Sequence, residues 1–222
     1  MTFTKVIILV FIDIPKIIPQ IDFVNLGSYD FQTPERDPKL ADYTSPLYEM
    51  FERNPENNIN FQVNHWLNNS APASKLNIGV AAYGRTWIMS GDSGITGYPP
   101  VIETLGAAPG GIYTVSPGLL SWPEICYKLS ASKENTGDQA PLRKVGDPTQ
   151  RFGTYGYRAA DEKGEHGLWV SYEDPASAAI KAGYVNAKGL GGVALFDLSM
   201  DDFRGQCAGE KFPLLRGIKY RL

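Results

Sequence analysis

The chain has 222 residues, 43% of them apolar and 20% charged, with a formal net charge of −3. That length admits one large domain or two small ones. The near balance of basic and acidic residues argues against a nucleic-acid surface, and neither of the two histidines, His65 and His166, stands at metal-ligand spacing from a cysteine or from the other, so no metal site is expected.

Taken in chain order, the first apolar run is Val6 to Phe11, preceded by Lys5. It is rich in β-branched residues and far shorter than the roughly 20 apolar residues of a membrane span. Two readings stay open: a buried β-strand, or a partial secretory signal whose small-residue cleavage site is missing before Asp13, Pro15 and Lys16. A second strand is expected over Ile21 to Phe31, ending in Tyr29 and Asp30, followed by a polar, proline-bearing loop from Thr33 to about Asn57. Asn58 can cap a helix, because Ile59, Val63, Trp66 and Leu67 fall on one helical face; the helix should stop near Ser70, ahead of Pro72. A third strand is predicted over Leu76 to Tyr83, leading to Gly84 and Arg85, which completes a βαβ unit.

From Trp87 to Trp169 the periodicity fades into glycine, proline and short mixed segments, too long for an ordinary connection and therefore read as an inserted subdomain. Its expected helix is Pro123 to Leu129, with a returning strand at Trp169 to Tyr172. Asp174, Pro175 and Gly189 then bracket a helix, with Ala176, Ala179, Ile180, Gly183, Tyr184 and Ala187 as its apolar stripe. The run Val193 to Phe196 reads as a buried parallel strand that delivers Asp197, Asp201 and Asp202 beyond its end, where the working face of an α/β barrel lies. A short apolar and basic helix is expected over Pro213 to Leu222. Gly189-Leu-Gly-Gly192 is no dinucleotide fingerprint, since it closes a helix and opens a strand, the reverse of what phosphate binding needs.

Three strands thus place Tyr29 and Asp30, Tyr83 and Arg85, and Phe196 and Asp197 at one end. Convergence there signals a site; ordinary strand-end packing of aromatics is the alternative.

Asp22-Phe-Val-Asn-Leu-Gly-Ser-Tyr-Asp30 resembles the sixth barrel strand of family 18 glycoside hydrolases, with its M-x-Y-D motif. Leu76 to Trp87 is similar to the seventh strand, and Gly189 to Phe203 to the eighth, G-G-x-x-x-W-x-x-D-x-D-D-F. Within that family, ADYTSPLYE, PASKLNIGVA, YGR and GVALFDLSMDDFRGQCAGEKFPLLRGIKYRL resemble the imaginal disc growth factors, insect chitinase-like proteins that are secreted and lack chitinase activity. The resemblance covers residues 11 to 222. It implies an α/β fold: an incomplete (β/α)8 TIM barrel made of the C-terminal strands, with an inserted small α+β subdomain. The division it implies is residues 1–87 as partial barrel, 88–168 as the insertion and 169–222 as the barrel remainder.

The departures bear on activity. The family's reaction needs D-x-x-D-x-D-x-E on the fourth strand, and this octapeptide does not occur in the chain. A general acid contributes about 10²–10⁴-fold, so hydrolysis by this chain is not expected. Gly27 stands where the motif's methionine would be, and Phe196 replaces the tryptophan on which a sugar ring stacks. By resemblance, Tyr29, Asp30, Tyr83, Arg85 and Phe196 are relict or weak carbohydrate contacts, with a purely structural role as the alternative. Related chitinase-like proteins join the pair corresponding to Cys126 and Cys207, which implies that disulfide and an extracellular location; two reduced buried thiols are the alternative. Asn68-Asn-Ser70 is a glycosylation sequon on Asn68.

The expected function is that of a secreted, non-catalytic chitinase-like growth factor, with a chitin-type oligosaccharide and a cell-surface receptor as partners and no cofactor. The alternative is a piece of an active chitinase whose catalytic strand lies upstream. Strands one to four would normally cover the first strand's edge, so a half-length chain is expected to be poorly soluble alone.

Overall fold

The computed structural model describes residues 2–3, 12–207 and 209–222; the run Val6 to Phe11 lies outside them. The elements begin with β1 (Thr2–Phe3), α1 (Ile14–Ile17), β2 (Val24–Leu26), β3 (Leu40–Ala41), α2 (Ile59–Asn68), β4 (Leu76–Ala81) and β5 (Tyr83–Trp87). They continue with β6 (Val101–Ile102), β7 (Leu119–Ser121), α3 (Trp122–Leu129), β8 (Arg143–Gly146), β9 (Thr154–Arg158) and β10 (Leu168–Tyr172). The last are α4 (Pro175–Lys188), β11 (Gly192–Phe196) and α5 (Pro213–Lys219). No helix among the described residues is long and apolar enough to cross a membrane.

Helix starts follow local chemistry. The Asn58 side chain accepts the Phe61 N–H at 2.7 Å, and Ile59, Val63 and Trp66 bury the face that follows. Asp174 accepts the Ser177 N–H at 2.7 Å while the Ser177 hydroxyl accepts the Asp174 N–H at 3.0 Å, a reciprocal cap ahead of Pro175. Gly189 ends that helix at φ 61°, a left-handed conformation that glycine adopts without a Cβ penalty.

The elements form an α/β structure with two principal sheets. The first is parallel, in the order β1-β2-β4-β11, and the crossovers β2-α2-β4 and α4-β11 place helices against it. The second is antiparallel, in the order β7-β5-β10-β9-β8, while β3 pairs with β6 across the proline-bearing loop. One core joins Val24, Leu26, Ile78, Val63 and Trp66; a second joins Val80, Ile125, Ala182 and Leu214; a third joins Trp87, Trp169 and Tyr155 of the antiparallel sheet.

The structure corrects the sequence reading at several points. The expected strand over Ile21 to Phe31 is confined to Val24–Leu26, because beyond Leu26 the ladder to β4 passes to the Ser28 side chain, whose oxygen accepts the Gly79 N–H at 2.8 Å. The run Leu76 to Tyr83 is two strands: β4 ends at Ala81 in the parallel sheet, and Tyr83 opens β5 in the antiparallel one. The buried face of α4 is Ser177, Ala178, Lys181, Ala182, Tyr184 and Val185; Ala176 and Ala187 face solvent, since an ion pair draws Lys181 inward. β11 is only half-buried, having β4 as its one strand neighbour among the described residues.

Candidate functional site

Because β2, β4 and β11 run parallel, their C-terminal ends share one edge, and that edge gathers the expected residues. Tyr29 and Asp30 follow β2, Phe196 is the last residue of β11, and Tyr83 lies just past β4. The Tyr29 and Phe196 rings stack with centroids 5.8 Å apart, and the Tyr83 ring meets each edge-on, at 6.0 Å from Tyr29 and 6.5 Å from Phe196. These are favoured aromatic geometries. The Tyr29 ring can lie this close to β4 because residue 79 is glycine: a Cβ there would sit 2.7 Å from Tyr29 Cε1 and 2.5 Å from the Leu26 carbonyl oxygen. Phe196 remains 49% exposed, so the cluster presents an open apolar face.

Asp30 anchors the polar half. Arg85 donates to both of its carboxylate oxygens, Nε to Oδ1 at 2.8 Å and Nη2 to Oδ2 at 2.7 Å, and the Tyr83 hydroxyl donates to Oδ2 at 2.9 Å. This bidentate fork is the strong form of an ion pair. Asp30 has φ 58°, a left-handed conformation uncommon outside glycine that aspartate tolerates better than most. Burial pushes the Tyr83 hydroxyl well above the ordinary tyrosine range, and the Asp30 charge adds to it. Burial also raises Tyr29, again reinforced by Asp30. For Arg85 burial opposes the charge, and the Asp30 hydrogen bonds and charge more than offset it, holding the guanidinium protonated.

The sequence reading missed Glu35 and Arg36. Arg36 donates to the Asp30 carbonyl oxygen, and Glu35 Oε1 lies 3.7 Å from Arg85 Nη1. Both sit in the loop after β2, where no periodicity marks them; their only signal is adjacency to the strand end.

Other expected residues lie elsewhere. Asp197, Asp201 and Asp202 bond the main chain that follows β11. Asp197 accepts the N–H groups of Ser199 and Met200, Asp201 those of Asp202, Leu214 and Leu215, and Asp202 those of Gly205 and Cys207. They staple the turns that carry the chain from β11 to α5, and Asp201 and Asp202 are buried in doing so. Cys126 on α3 is bonded to Cys207, their Cα atoms 5.9 Å apart, which ties the antiparallel sheet's helix to the segment after β11. Asn68 is exposed at the last residue of α2. His65 lies in the last turn of α2, whereas His166 meets Asp161 and Glu165 with ligand atoms within 4.8 Å of one another. That grouping is exposed, and Asp161 already accepts the N–H groups of Lys163 and Glu165, so it is a turn. A cavity of 270 Å³ between the β8–β9 hairpin and α4 is lined by Leu47, Arg151, Phe152, Asp174 and Lys181 among others, and by none of the five expected contact residues.

The profile of Glycosyl hydrolases family 18 matches residues 3–201. The chain belongs to that family. Chitinase-like protein Idgf5 of Drosophila melanogaster is 63% identical over 214 residues, which are 96% of this chain and 48% of that protein. Imaginal disk growth factor 6 of the same species is 58% identical over 215 residues, covering 96% of this chain and 47% of the relative. The chain therefore spans about half the length of the curated relatives it matches. Among solved structures, Group II chitinase catalytic domain 2 of Ostrinia furnacalis, in complex with penta-N-acetylchitooctaose, superposes with a TM-score of 0.85 at 29% identity, over 100% of this chain and 54% of that one.

Proposed function

We propose that this family 18 chain is the C-terminal part of a secreted, non-catalytic chitinase-like growth factor that holds a chitin-type oligosaccharide weakly and acts through a cell-surface receptor. The observation that carries the binding half is the open aromatic cluster of Tyr29, Tyr83 and Phe196 beside the Asp30–Arg85 fork. A pyranose ring offers an apolar face to such a platform and hydroxyls to its polar rim. Asp30 spends its carboxylate on Arg85 and Tyr83, which suits orientation and leaves proton donation unsupported. The likeness at 63% identity to a chitinase-like protein, against 29% to a chitinase, favours the non-catalytic reading over a piece of an active enzyme. The Cys126–Cys207 disulfide supports an oxidising, extracellular setting.

In this reading β2, β4 and β11 are late strands of an incomplete (β/α)8 barrel, residues 1–87 and 169–222 belong to that barrel, and residues 88–168 form the inserted α+β subdomain. Asn68 is the proposed glycosylation site.

The test is calorimetric titration of the protein with tetra-N-acetylchitotetraose, followed by chromatography of the sugar. Saturable binding with the sugar recovered intact is expected. Release of shorter oligomers would favour the chitinase reading, and absence of binding would leave the cluster as packing.

A further inference from the structure

Among the described residues, the peptide that carries Tyr29 and Asp30 has no strand neighbour, and β2 stops pairing with β4 at Leu26. It is held by a run of buried polar groups instead. Gly79 N–H donates to Ser28 Oγ at 2.8 Å from one side. On the other side lies a strap, residues 44–45: the Thr44 carbonyl accepts the Phe31 N–H at 2.9 Å, and Ser45 Oγ donates to the Ser28 carbonyl at 2.6 Å. The strap is fixed in turn by Ser171 Oγ, which accepts the Thr44 N–H at 3.1 Å, and by Lys181, whose Nζ donates to both the Ser45 carbonyl and Ser45 Oγ at 2.7 Å.

Lys181 is 2% exposed and places its third proton on Glu173, whose other oxygen accepts the Ser177 hydroxyl at 2.6 Å. All three ammonium donors are therefore used. A buried ion pair is a poor source of stability: well-packed apolar residues of the same volume often serve as well or better, and the known advantage of keeping one is in fixing a particular arrangement. Here the arrangement it fixes leads, through Ser45 and Ser28, to a residue in a left-handed conformation that persists only if its surroundings determine it.

We propose that Lys181, paired with Glu173, is a positioning residue that acts through Ser45 and Ser28 to hold Tyr29 and Asp30 in place for the ligand; its ligand arm rests on the oligosaccharide reading above. The hydrogen bonds of Lys181 go to Ser45 and Glu173, so the pair acts across the strap.

Two variants test it. In Lys181→Met with Glu173→Leu the apolar pair should keep the melting temperature close to that of the wild type. Tetra-N-acetylchitotetraose affinity should nevertheless fall about tenfold, which corresponds to the loss of one well-formed hydrogen bond's worth of ordering. Ser45→Ala leaves the ion pair intact, cuts the link to Ser28, and should weaken binding by about three- to tenfold. In both, amide hydrogen exchange at Gly79 and Phe31 should accelerate by at least about tenfold while exchange in α2 is unchanged. Wild-type affinity together with unchanged exchange at those two amides overturns the proposal. Should the double variant fail to fold, Ser45→Ala decides alone. If the wild type does not bind the sugar, the oligosaccharide reading fails, and the positioning role stands or falls on the exchange rates.

Discussion

At the scale of single residues, the strand-end cluster divides into a platform and a clamp. Phe196 is half exposed and stacks on Tyr29, so Phe196→Ala should weaken tetra-N-acetylchitotetraose binding by about three- to tenfold, the value of one aromatic contact, with little change in melting temperature. Phe196→Trp should strengthen it by a similar factor; calorimetry on the two variants checks both. Arg85 is different. Its side chain and that of Asp30 are only about a fifth exposed, at 19% and 23%, and Arg85→Met would leave the Asp30 carboxylate with the Tyr83 hydroxyl alone. We expect a loss of about 2–3 kcal/mol, below the cost of breaking a fully buried pair, measured by urea unfolding. Tyr29, Asp30, Tyr83, Arg85 and Phe196 were legible because strand ends announce themselves by an apolar run followed by polar or aromatic groups. Glu35, Arg36, Ser28 and Ser45 were not, since loop residues recruited by tertiary contact leave no periodic trace. The three carboxylates after β11 show that an acidic cluster at a strand end can also serve the backbone, since each accepts main-chain N–H groups of the turns that follow.

At the scale of elements, capped helices could be read directly, because Asn58, Asp174, Pro175 and Gly189 act within a turn of their own positions. The division between β4 and β5 could not. Both strands are largely buried, so the run from Ile78 to Tyr83 stays apolar across the change of sheet and alternation gives no warning. The pairing of β3 with β6, two residues each, is likewise too short to show. Two elements carry predictions of their own. Glu124, on α3, is buried and accepts the N–H groups of Tyr113, Thr114 and Ser121, so it shapes the loop over residues 110–116. Burial pushes its carboxyl up, but those hydrogen bonds outweigh it and hold the carboxyl below the usual glutamate range. A depressed folded value means that the stabilisation is present above the usual glutamate range and is lost as pH falls through the lowered one. Amide exchange at Tyr113 and Thr114 should therefore rise on acidification beyond its intrinsic pH dependence, and Glu124→Gln should abolish that extra rise. The disulfide closes a separation of 81 residues, and its removal in Cys126→Ser with Cys207→Ser should cost up to about 4–5 kcal/mol in the chain-entropy account, read from guanidinium midpoints.

At the scale of the whole molecule, β11 has one strand neighbour among the described residues, and Phe196, Leu198 and Phe203 are exposed close to it in sequence. An open parallel edge flanked by apolar side chains invites pairing. The 222-residue chain prepared alone should self-associate, and light scattering should show it; a monodisperse monomer with a sharp melt counts against the incomplete-barrel proposal. When secreted by eukaryotic cells it should carry glycan on Asn68, visible as a mass shift that an amidase removes and that Asn68→Gln prevents. Ala82, between β4 and β5, has its N–H on the Phe196 carbonyl at 2.8 Å and its own carbonyl on the Trp122 N–H at 3.0 Å, and Trp122 N–H reaches the Met200 carbonyl as well, at 3.1 Å. One small residue thus bolts together the end of one sheet, the start of the next and the first turn of α3, with no slack peptide between them. Any bending of one sheet against the other has to break at least one of these hydrogen bonds, so the two sheets meet at a stiff corner and not at a hinge.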